Sequence, residues 1–284
     1  MGTETGIVGE RARRALSHVA GHAHGGTVDP APRITLNFHP DRLTGDGTPI
    51  LDSMAAHGLY LSQFVTGTSN GGLTAHEGGD RWRWESRIFG GAYNDAPGAE
   101  RPVYGGLNFR ARATGAAPRF GSAHLRLLPS TLARTTHCYP DSFLEPSDFA
   151  LASACERLVA LALDDDRDTL DDYVESHVHG PVRLTADVEA LVLDPCFRDT
   201  DVENAARGLG CGVEFHGGFR IDAGELARHG DYRGQEFVDL GLALATDGYL
   251  DPAVIGAASR SGAYDQQALK RVWHLLARFG APLA

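Results

Sequence analysis

The stretch Tyr173–Pro195 carries the residues whose types and spacing best suit chemistry. Its first part, up to His179, predicts a β-strand, in which residues two apart point to the same face. Tyr173, Glu175, His177 and His179 would therefore share one face. Burying a carboxylate and two imidazoles in a row is costly unless they have partners or a function. We interpret this face as catalytic, in preference to the solvated face of an exposed edge strand.

The rest of the stretch has polar residues around Thr185–Asp187 and then the apolar run ALVLD (190–194). This pattern predicts a β-hairpin whose second strand is a buried central strand. A second chemistry is open to the first strand, because two imidazoles on one face could bind a metal. His177 and His179 could join His39 or His137 in a metal-dependent hydrolase.

Composition and charge indicate a globular protein and argue against some classes of partner. The chain has 284 residues, 42% of them hydrophobic and 22% charged, as is usual for globular proteins. A formal net charge of −11 argues against a nucleic-acid backbone as the main partner. The four cysteines show no CxxC spacing, which predicts a reduced chain without a zinc ribbon.

The same composition bears on localisation. No apolar run approaches the length of a membrane span, and the N-terminus lacks the apolar region of a Sec signal. Abundant Arg, Ala and Gly beside a single lysine, Lys270, are typical of a GC-rich bacterial genome. We therefore expect no membrane partner and a bacterial cytoplasmic protein, with secretion into a host cell by a route without a Sec signal left open.

The order of patterns predicts an α+β fold in three parts. Residues 1–29 show a short helical pattern followed by a Gly/His-rich linker, residues 30–200 mix strands and helices, and residues 201–284 are mostly helical. Within the middle part, Arg33–Pro40 alternates between apolar and polar residues, which predicts a half-buried strand ending at His39.

Two further stretches of the middle part could contact a ligand or pack in the core. Thr66–Gly72 (TGTSNGG) is a loop of small residues whose backbone can approach a ligand closely, but it lacks the lysine of a P-loop. Both a ligand-binding loop and a plain turn remain open for it. Arg81–Tyr93 predicts an aromatic-rich helix, with core packing as the plainest role of its rings.

Several stretches together resemble a bacterial family catalogued as a domain of unknown function, which includes the CteC-like effectors that modify threonine on ubiquitin. These stretches are NFHPDR, QFVTGTSNGG, RPVYGGLN, APRFGSAHLRL, RTTHCYPDS and VESHVHGPVRL, and the resemblance covers about Arg33 to Thr200. The order of elements also resembles the PARP-like branch of the ADP-ribosyltransferase fold, which implies a split antiparallel β-sheet core with flanking helices. The mostly helical C-terminal part would follow as a subdomain.

The resemblance implies a mono-ADP-ribosyltransferase that moves ADP-ribose from NAD to a protein hydroxyl and releases nicotinamide. The acceptor could be a threonine of ubiquitin, and the reaction needs no metal. An NAD glycohydrolase, in which water replaces the acceptor, is a close variant. A non-catalytic binding module is the remaining alternative, since an acidic chain with a helical C-terminus also suits a scaffold.

Roles for particular residues follow from the resemblance. Glu175 would be the catalytic glutamate, with Glu189 as its rival, and Asp141 the second carboxylate, with Asp187 as its rival. The NAD-binding residues would be His39 in the first-strand position, Tyr93 as the aromatic residue near nicotinamide, and also Phe38, Gln63, Thr66, Gly67, Ser69, Asn70, Gly71 and Tyr104. Stacking on nicotinamide could also come from Phe38 or Tyr104.

Overall fold

The computed structural model describes residues 8–29, 31–67 and 73–280. The strands are β1 (Ile34–Phe38), β2 (Leu59–Tyr60), β3 (Val103–Leu107), β4 (Ala123–Leu127), β5 (Thr135–Tyr139), β6 (Asp148–Leu151), β7 (Val174–Val178), β8 (Val182–Arg183), β9 (Val188–Leu193), β10 (Gly212–Phe215), β11 (Ile221–Asp222) and β12 (Tyr249–Leu250). Eight of them form one central sheet in the order β10-β9-β4-β1-β3-β7-β5-β6. The pair β9–β10 is parallel and the other pairs of this sheet are antiparallel.

Helices cover the sheet and form most of the C-terminal part. They are α1 (Glu10–Ala20), α2 (Ile50–His57), α3 (Gln63–Thr66), α4 (Asp80–Ile88), α5 (Glu156–Asp164), α6 (Leu184–Asp187), α7 (Asp201–Arg207), α8 (Ala223–Leu226), α9 (Gln235–Leu244), α10 (Pro252–Ser261) and α11 (Gln266–Phe279). The predicted α+β fold is confirmed. None of the helices in the described ranges is long and apolar enough to cross a membrane.

The sheet is weakest between β1 and β3. These strands pair only at Ile34 with Leu107 and at Thr35 with Gly106, and share no further paired position among the described residues. A Cβ atom on Gly105 would lie 2.5 Å from the backbone oxygen of Thr35, so only glycine permits the close approach there. Beyond this contact the two strands separate.

Strand β1 is more deeply buried than its alternating pattern predicts. All five of its residues are buried, including the polar Thr35 and Asn37. The loop that packs over them provides their partners: Ala116 N–H donates to Thr35 Oγ1, and Ala117 N–H donates to Asn37 Oδ1. A polar strand face can be buried in this way because its hydrogen bonds are satisfied.

The predicted hairpin between residues 173 and 195 is wrong. Strands β7 and β9 both belong to the central sheet, but β3, β1 and β4 lie between them. The connection contains β8, which pairs with β2, and α6. The interpretation of β7 as an exposed edge strand is also excluded, because β7 pairs with β3 and β5 and all five of its residues are buried.

The C-terminal part has an apolar cluster of its own and is also joined to the sheet. Helix α11 begins at the cap Asp265, whose side chain accepts from Ala268 N–H, and it buries Trp273. The indole N–H of Trp273 donates to the backbone oxygens of Pro118 and Arg119, just before β4, at 3.0 and 3.1 Å. Strand β10 follows residue 200 yet completes the central sheet, and the division into three parts stays a prediction.

Candidate active site

A cleft lies where β1 and β3 separate, and we call it the sheet cleft. Its walls come from the end of β1 (Asn37 and Phe38), the start of β3 (Tyr104 and Gly105) and Glu175 of β7, with α2 and α3 along one side. Its cavity volume is about 100 Å³. Cavities of about 150 Å³ hold an aromatic ring, so the enclosed space suits a ring-sized group better than a whole dinucleotide.

Glu175 is the carboxylate in the wall of this cleft, and it is only 5% exposed. Ser142 donates to its Oε2 from the side chain at 3.0 Å, and His177 Nε2 lies 3.0 Å from its Oε1. Burial alone would raise the pKa of Glu175. The hydrogen bond and charge of His177 and the guanidinium of Arg81 outweigh burial, so the pKa lies below its ordinary value.

Asp141 is half-buried beside this group, although it does not line the enclosed part of the cleft. The hydroxyl of Tyr173 donates to its Oδ2 at 2.6 Å, and the next residue, Ser142, binds Glu175. Burial and the charge of Glu175 raise the pKa of Asp141, against the opposing hydrogen bond from Tyr173. The two carboxyl groups therefore have pKa values moved in opposite directions, as is common for a pair with different roles in catalysis.

Arg81 supplies positive charge at the cleft, and we did not predict this from the sequence. Its guanidinium lies 3.9 Å above the ring centre of Tyr104, and its Nη1 lies 3.4 Å from Ser142 Oγ. Arg81 is buried at the start of α4, which faces the Glu175 side of the sheet. The RWRWES pattern predicted the helix, but no local signal shows that its first arginine turns inward.

A buried ion pair fixes α4 against β3. Glu85 of α4 accepts from Arg101 Nη1 at 2.6 Å and from the Tyr104 hydroxyl at 3.1 Å. Arg101 also donates to the backbone oxygen of Tyr93 at 2.7 Å. The Glu85 and Arg101 side chains are 0% and 4% exposed, so each depends on the other for compensation of its charge.

The structure gathers some of the predicted NAD-binding residues and separates others. Phe38, Gln63, Thr66 and Tyr104 line the sheet cleft with Glu175. Ser69, Asn70 and Gly71 lie outside the described residues.

Tyr93 is not at the cleft, so the expectation that its ring stacks on nicotinamide is not met. Its ring is buried against His179 and Phe89, and its hydroxyl lies 2.7 Å from His179 Nδ1. The helix α4 ends at Ile88, five residues before Tyr93, and the following turn directs this ring into the core.

His39 and Gly67 line a second, neighbouring cavity of about 440 Å³. His39 is in edge contact with Trp273, with ring centres 4.8 Å apart. We call this cavity the basic cleft, because its lining includes the side chains of Arg42, Arg119, Arg260 and Lys270.

The rival carboxylates have structural partners instead. Asp187 pairs with Arg134 at 2.9 Å and accepts from the backbone N–H of Arg183. Glu189 pairs with Arg33 at 3.1 Å, and both side chains are half-buried. Neither lines the sheet cleft or the basic cleft, whereas Glu175 lines the sheet cleft and Asp141 precedes Ser142, which donates to Glu175.

His177 of β7 and His179, which follows it, do not form the metal pair considered from the sequence. Thr136 Oγ1 lies between them, 3.1 Å from His177 Nδ1 and 3.0 Å from His179 Nε2. His137 faces Ser176 at 2.9 Å. A different set has metal-ligand spacing: the ligand atoms of Cys138, Glu175 and His177 all lie within 4.8 Å of one another.

Comparison with known proteins identifies the family. Residues 33–166 and 163–279 match the family described as Protein of unknown function (DUF3626). The chain belongs to this family. A search of the curated proteins finds no match. Both clefts of this DUF3626 protein lie within the matched residues, and so does α11, whereas α1 lies outside them.

Proposed function

We propose that this protein transfers ADP-ribose from NAD to a hydroxyl group of an acceptor protein and releases nicotinamide. The observation that carries the proposal is the position of Glu175: an ionised carboxylate in the wall of a ring-sized cleft, at the point where the central sheet splits. A threonine of ubiquitin is one candidate acceptor. No membrane or nucleic-acid partner is part of the proposal.

The chemistry would divide between the two carboxyl groups. The bond between nicotinamide and ribose breaks with its electron pair leaving on nicotinamide, and positive charge develops on the ribose. Glu175 is suited to stabilise that charge, because it is held rigidly on β7 and its lowered pKa keeps it ionised. The acceptor oxygen then bonds to the ribose carbon, and Asp141 takes the hydroxyl proton.

The other cleft residues would position the nicotinamide. The ring of Tyr104, with Arg81 above one face, is part of the cleft wall and could contact an aromatic ring edge-on or stacked. Gln63 and Thr66 bring polar groups within the same cleft for a carboxamide. Such fixed contacts orient the bond that breaks and so lower the entropic cost of reaction.

The direct test is incubation of the purified protein with NAD labelled in the adenylate part, together with a panel of proteins that includes ubiquitin. The proposal expects nicotinamide release and label on a protein, with the modified residue a threonine or serine by mass spectrometry. Nicotinamide release without protein labelling would identify an NAD glycohydrolase. Absence of both, with no shift of melting temperature on adding NAD, would favour a non-catalytic module.

Asp141→Asn should lower the rate of transfer about 10²-fold, the lower end of the range for general-base help. Because the pKa of Asp141 is raised, its proton-accepting form is lost as pH falls through that raised value. The wild-type rate should therefore rise with pH above the ordinary aspartate value of about 3.9, and the variant should lack this rise. The measurement is protein labelling from NAD as a function of pH.

Asp239→Asn serves as the control, because Asp239 accepts from Gln235 on an exposed part of α9, remote in the chain from both carboxylates. It should keep the wild-type pH profile. An Asp141→Asn protein with the same rate and the same rise would show that another group accepts the proton.

A divalent metal bound by Cys138, Glu175 and His177 is the second candidate for this site. Cys138 Sγ lies 3.9 Å from both Glu175 Oε1 and His177 Nε2, spacings compatible with ligands of one zinc ion. The positive charge of Arg81 near Glu175 disfavours a cation there, and so ranks this function second.

Elemental analysis after zinc loading separates the two candidates. A bound metal predicts one zinc per chain that is lost in Cys138→Ser, with activity lost on chelation. The ADP-ribosyltransferase proposal expects NAD cleavage to continue in chelator-treated, zinc-free protein. Loss of NAD cleavage on chelation, restored by zinc, would overturn that expectation.

A further inference from the structure

The basic cleft has a charge opposite to that of the whole chain. Its lining includes Arg42, Arg119, Arg260 and Lys270, and of the described residues that line it none is acidic. The chain carries a formal net charge of −11. Four cationic side chains around one cavity of an acidic protein form a local field that attracts anions.

These four side chains come from distant parts of the sequence. Arg42 follows β1, Arg119 lies in the turn before β4, Arg260 is on α10 and Lys270 is on α11. The cleft is therefore built jointly by the central sheet and the helical C-terminal part. Such convergence is not the solvated charged face of a single helix.

Carboxylates lie beside two of the arginines that line this cleft. Asp41 pairs with Arg260 at 2.8 Å, and Asp171 pairs with Arg119. The Nε atoms of Arg42 and Arg119 are buried and have no hydrogen-bond partner among the described residues. A buried guanidinium N–H without a partner has lost its hydrogen bonds to water, which lowers the stability of the folded protein. A ligand that supplies an acceptor to it would therefore bind favourably.

Neighbouring charges support the same conclusion. Burial, and then the charges of Arg119, Arg271 and Arg233, lower the pKa of Lys270. Burial also lowers the pKa of Arg42, with Asp41 opposing and Arg260 adding to the effect. A bound anion would relieve this repulsion between like charges.

The basic cleft adjoins the sheet cleft. Ile50 lines both cavities. Four pairs of consecutive residues place one member in each: Phe38 and His39, Leu43 and Thr44, Thr66 and Gly67, and Phe120 and Arg119. A ligand too long for the ring-sized sheet cleft could therefore extend into the basic cleft.

We propose that the basic cleft binds the diphosphate of the dinucleotide whose nicotinamide end lies beside Glu175. The inference rests on the proposed function for the identity of the ligand, but the anion site stands on its own geometry. Arg42 and Arg119 have the planar forks that match phosphate oxygens, and Lys270 adds a point charge. The helical C-terminal part would then be one wall of the NAD site, so this enzyme could not act without it.

The test measures binding of ADP, adenosine, inorganic pyrophosphate and nicotinamide by calorimetry to the full chain and its variants. We expect ADP and pyrophosphate to bind more tightly than adenosine, with affinity falling as salt rises. Arg42→Gln and Lys270→Gln should each weaken ADP binding about tenfold and leave nicotinamide binding unchanged. Lys270→Arg, which keeps the charge, should bind ADP nearly as the wild type does.

Arg228→Gln is the matched control, because Arg228 is an exposed arginine on the C-terminal side of α8 that pairs with the neighbouring Glu225. It should bind every probe as the wild type does, and circular dichroism should show that all variants are folded. Equal affinity for ADP and adenosine, or wild-type ADP binding in both Gln variants, would overturn the inference.

Kinetics with NAD distinguish failure of this inference from failure of the proposed function. If both hold, Arg42→Gln and Lys270→Gln raise KM for NAD about tenfold and change kcat little, because the lost contacts bind substrate and transition state alike. If the variants cleave NAD with unchanged KM, the proposed function is supported and the diphosphate site is contradicted. If the protein does not cleave NAD but the variants bind ADP more weakly, the anion site is supported and the proposed enzymatic function is contradicted.

Discussion

Glu175→Gln should lower nicotinamide release from NAD by about 10³-fold, the upper end of the effect of removing one transition-state charge stabiliser. The substitution keeps the shape of the side chain and the oxygen that accepts from Ser142. It removes the negative charge that would face the ribose as the bond to nicotinamide breaks. The expected loss is therefore in kcat, with little change in the dissociation constant of NAD.

The matched control for this experiment is Glu189→Gln, the rival glutamate of the sequence analysis. Glu189 is half-buried, pairs with Arg33 and Arg126 and lines neither of the two clefts. It should release nicotinamide at the wild-type rate. Turnover near the wild-type level in Glu175→Gln, or its loss in Glu189→Gln, would show that Glu175 is not the catalytic carboxylate. Melting temperatures of both proteins establish that each is folded.

Glu85→Ala should lower the free energy of unfolding by about 3–5 kcal/mol, the usual cost of breaking a buried ion pair from one side. Arg101 would keep its charge in a site where it is 4% exposed, and the Tyr104 hydroxyl would lose its acceptor. For a domain of ordinary stability, about 5–15 kcal/mol, this is a large fraction of the total. Denaturant unfolding followed by circular dichroism measures it.

Two control variants show whether the loss of stability comes from breaking the buried ion pair. Glu85→Gln keeps an acceptor for Arg101 and Tyr104, so it should cost less than the alanine variant. Glu225→Ala removes a partly exposed carboxylate that pairs with the exposed Arg228, and surface pairs contribute little. A Glu85→Ala protein as stable as Glu225→Ala would mean that water reaches Arg101 in the folded state.

The elements of the fold were predictable where local patterns decide them. The run between Pro49 and Gly58 indicates a helix, and α2 is Ile50–His57, ended by Gly58 at φ 64°. The apolar spacing of Gln266–Phe279 also indicates a helix, and α11 has these bounds. Proline before a helix, glycine after it and apolar residues at helical spacing act within the chain neighbourhood, so they can be read from sequence.

Pairing between distant strands could not be predicted in the same way. The alternating run from 173 to 179 identified β7, but the apolar run after it does not pair with β7. An apolar strand has many possible neighbours of equal hydrophobicity, and the choice depends on the whole packed sheet. The hairpin prediction failed for this reason.

The central carboxylate of the candidate site could be predicted from the sequence, but the residues that contact it could not. Glu175 could be singled out, because a carboxylate on a buried strand needs partners. Arg81 and Ser142 approach it from elements 94 and 33 positions away in the chain, so no local spacing indicates them. Tyr93 was misplaced because the resemblance assigns it an aromatic role but does not determine the direction of its ring.

Trp273 lies in edge contact with His39 and lines the basic cleft, while the other two tryptophans, Trp82 and Trp84, are on α4. The protein thus has an intrinsic fluorophore at the basic cleft. A ligand that occupies the basic cleft changes the polarity around that indole, whereas α4 does not line this cleft. Emission from Trp273 therefore reports which of the two cavities a compound enters, without an added label.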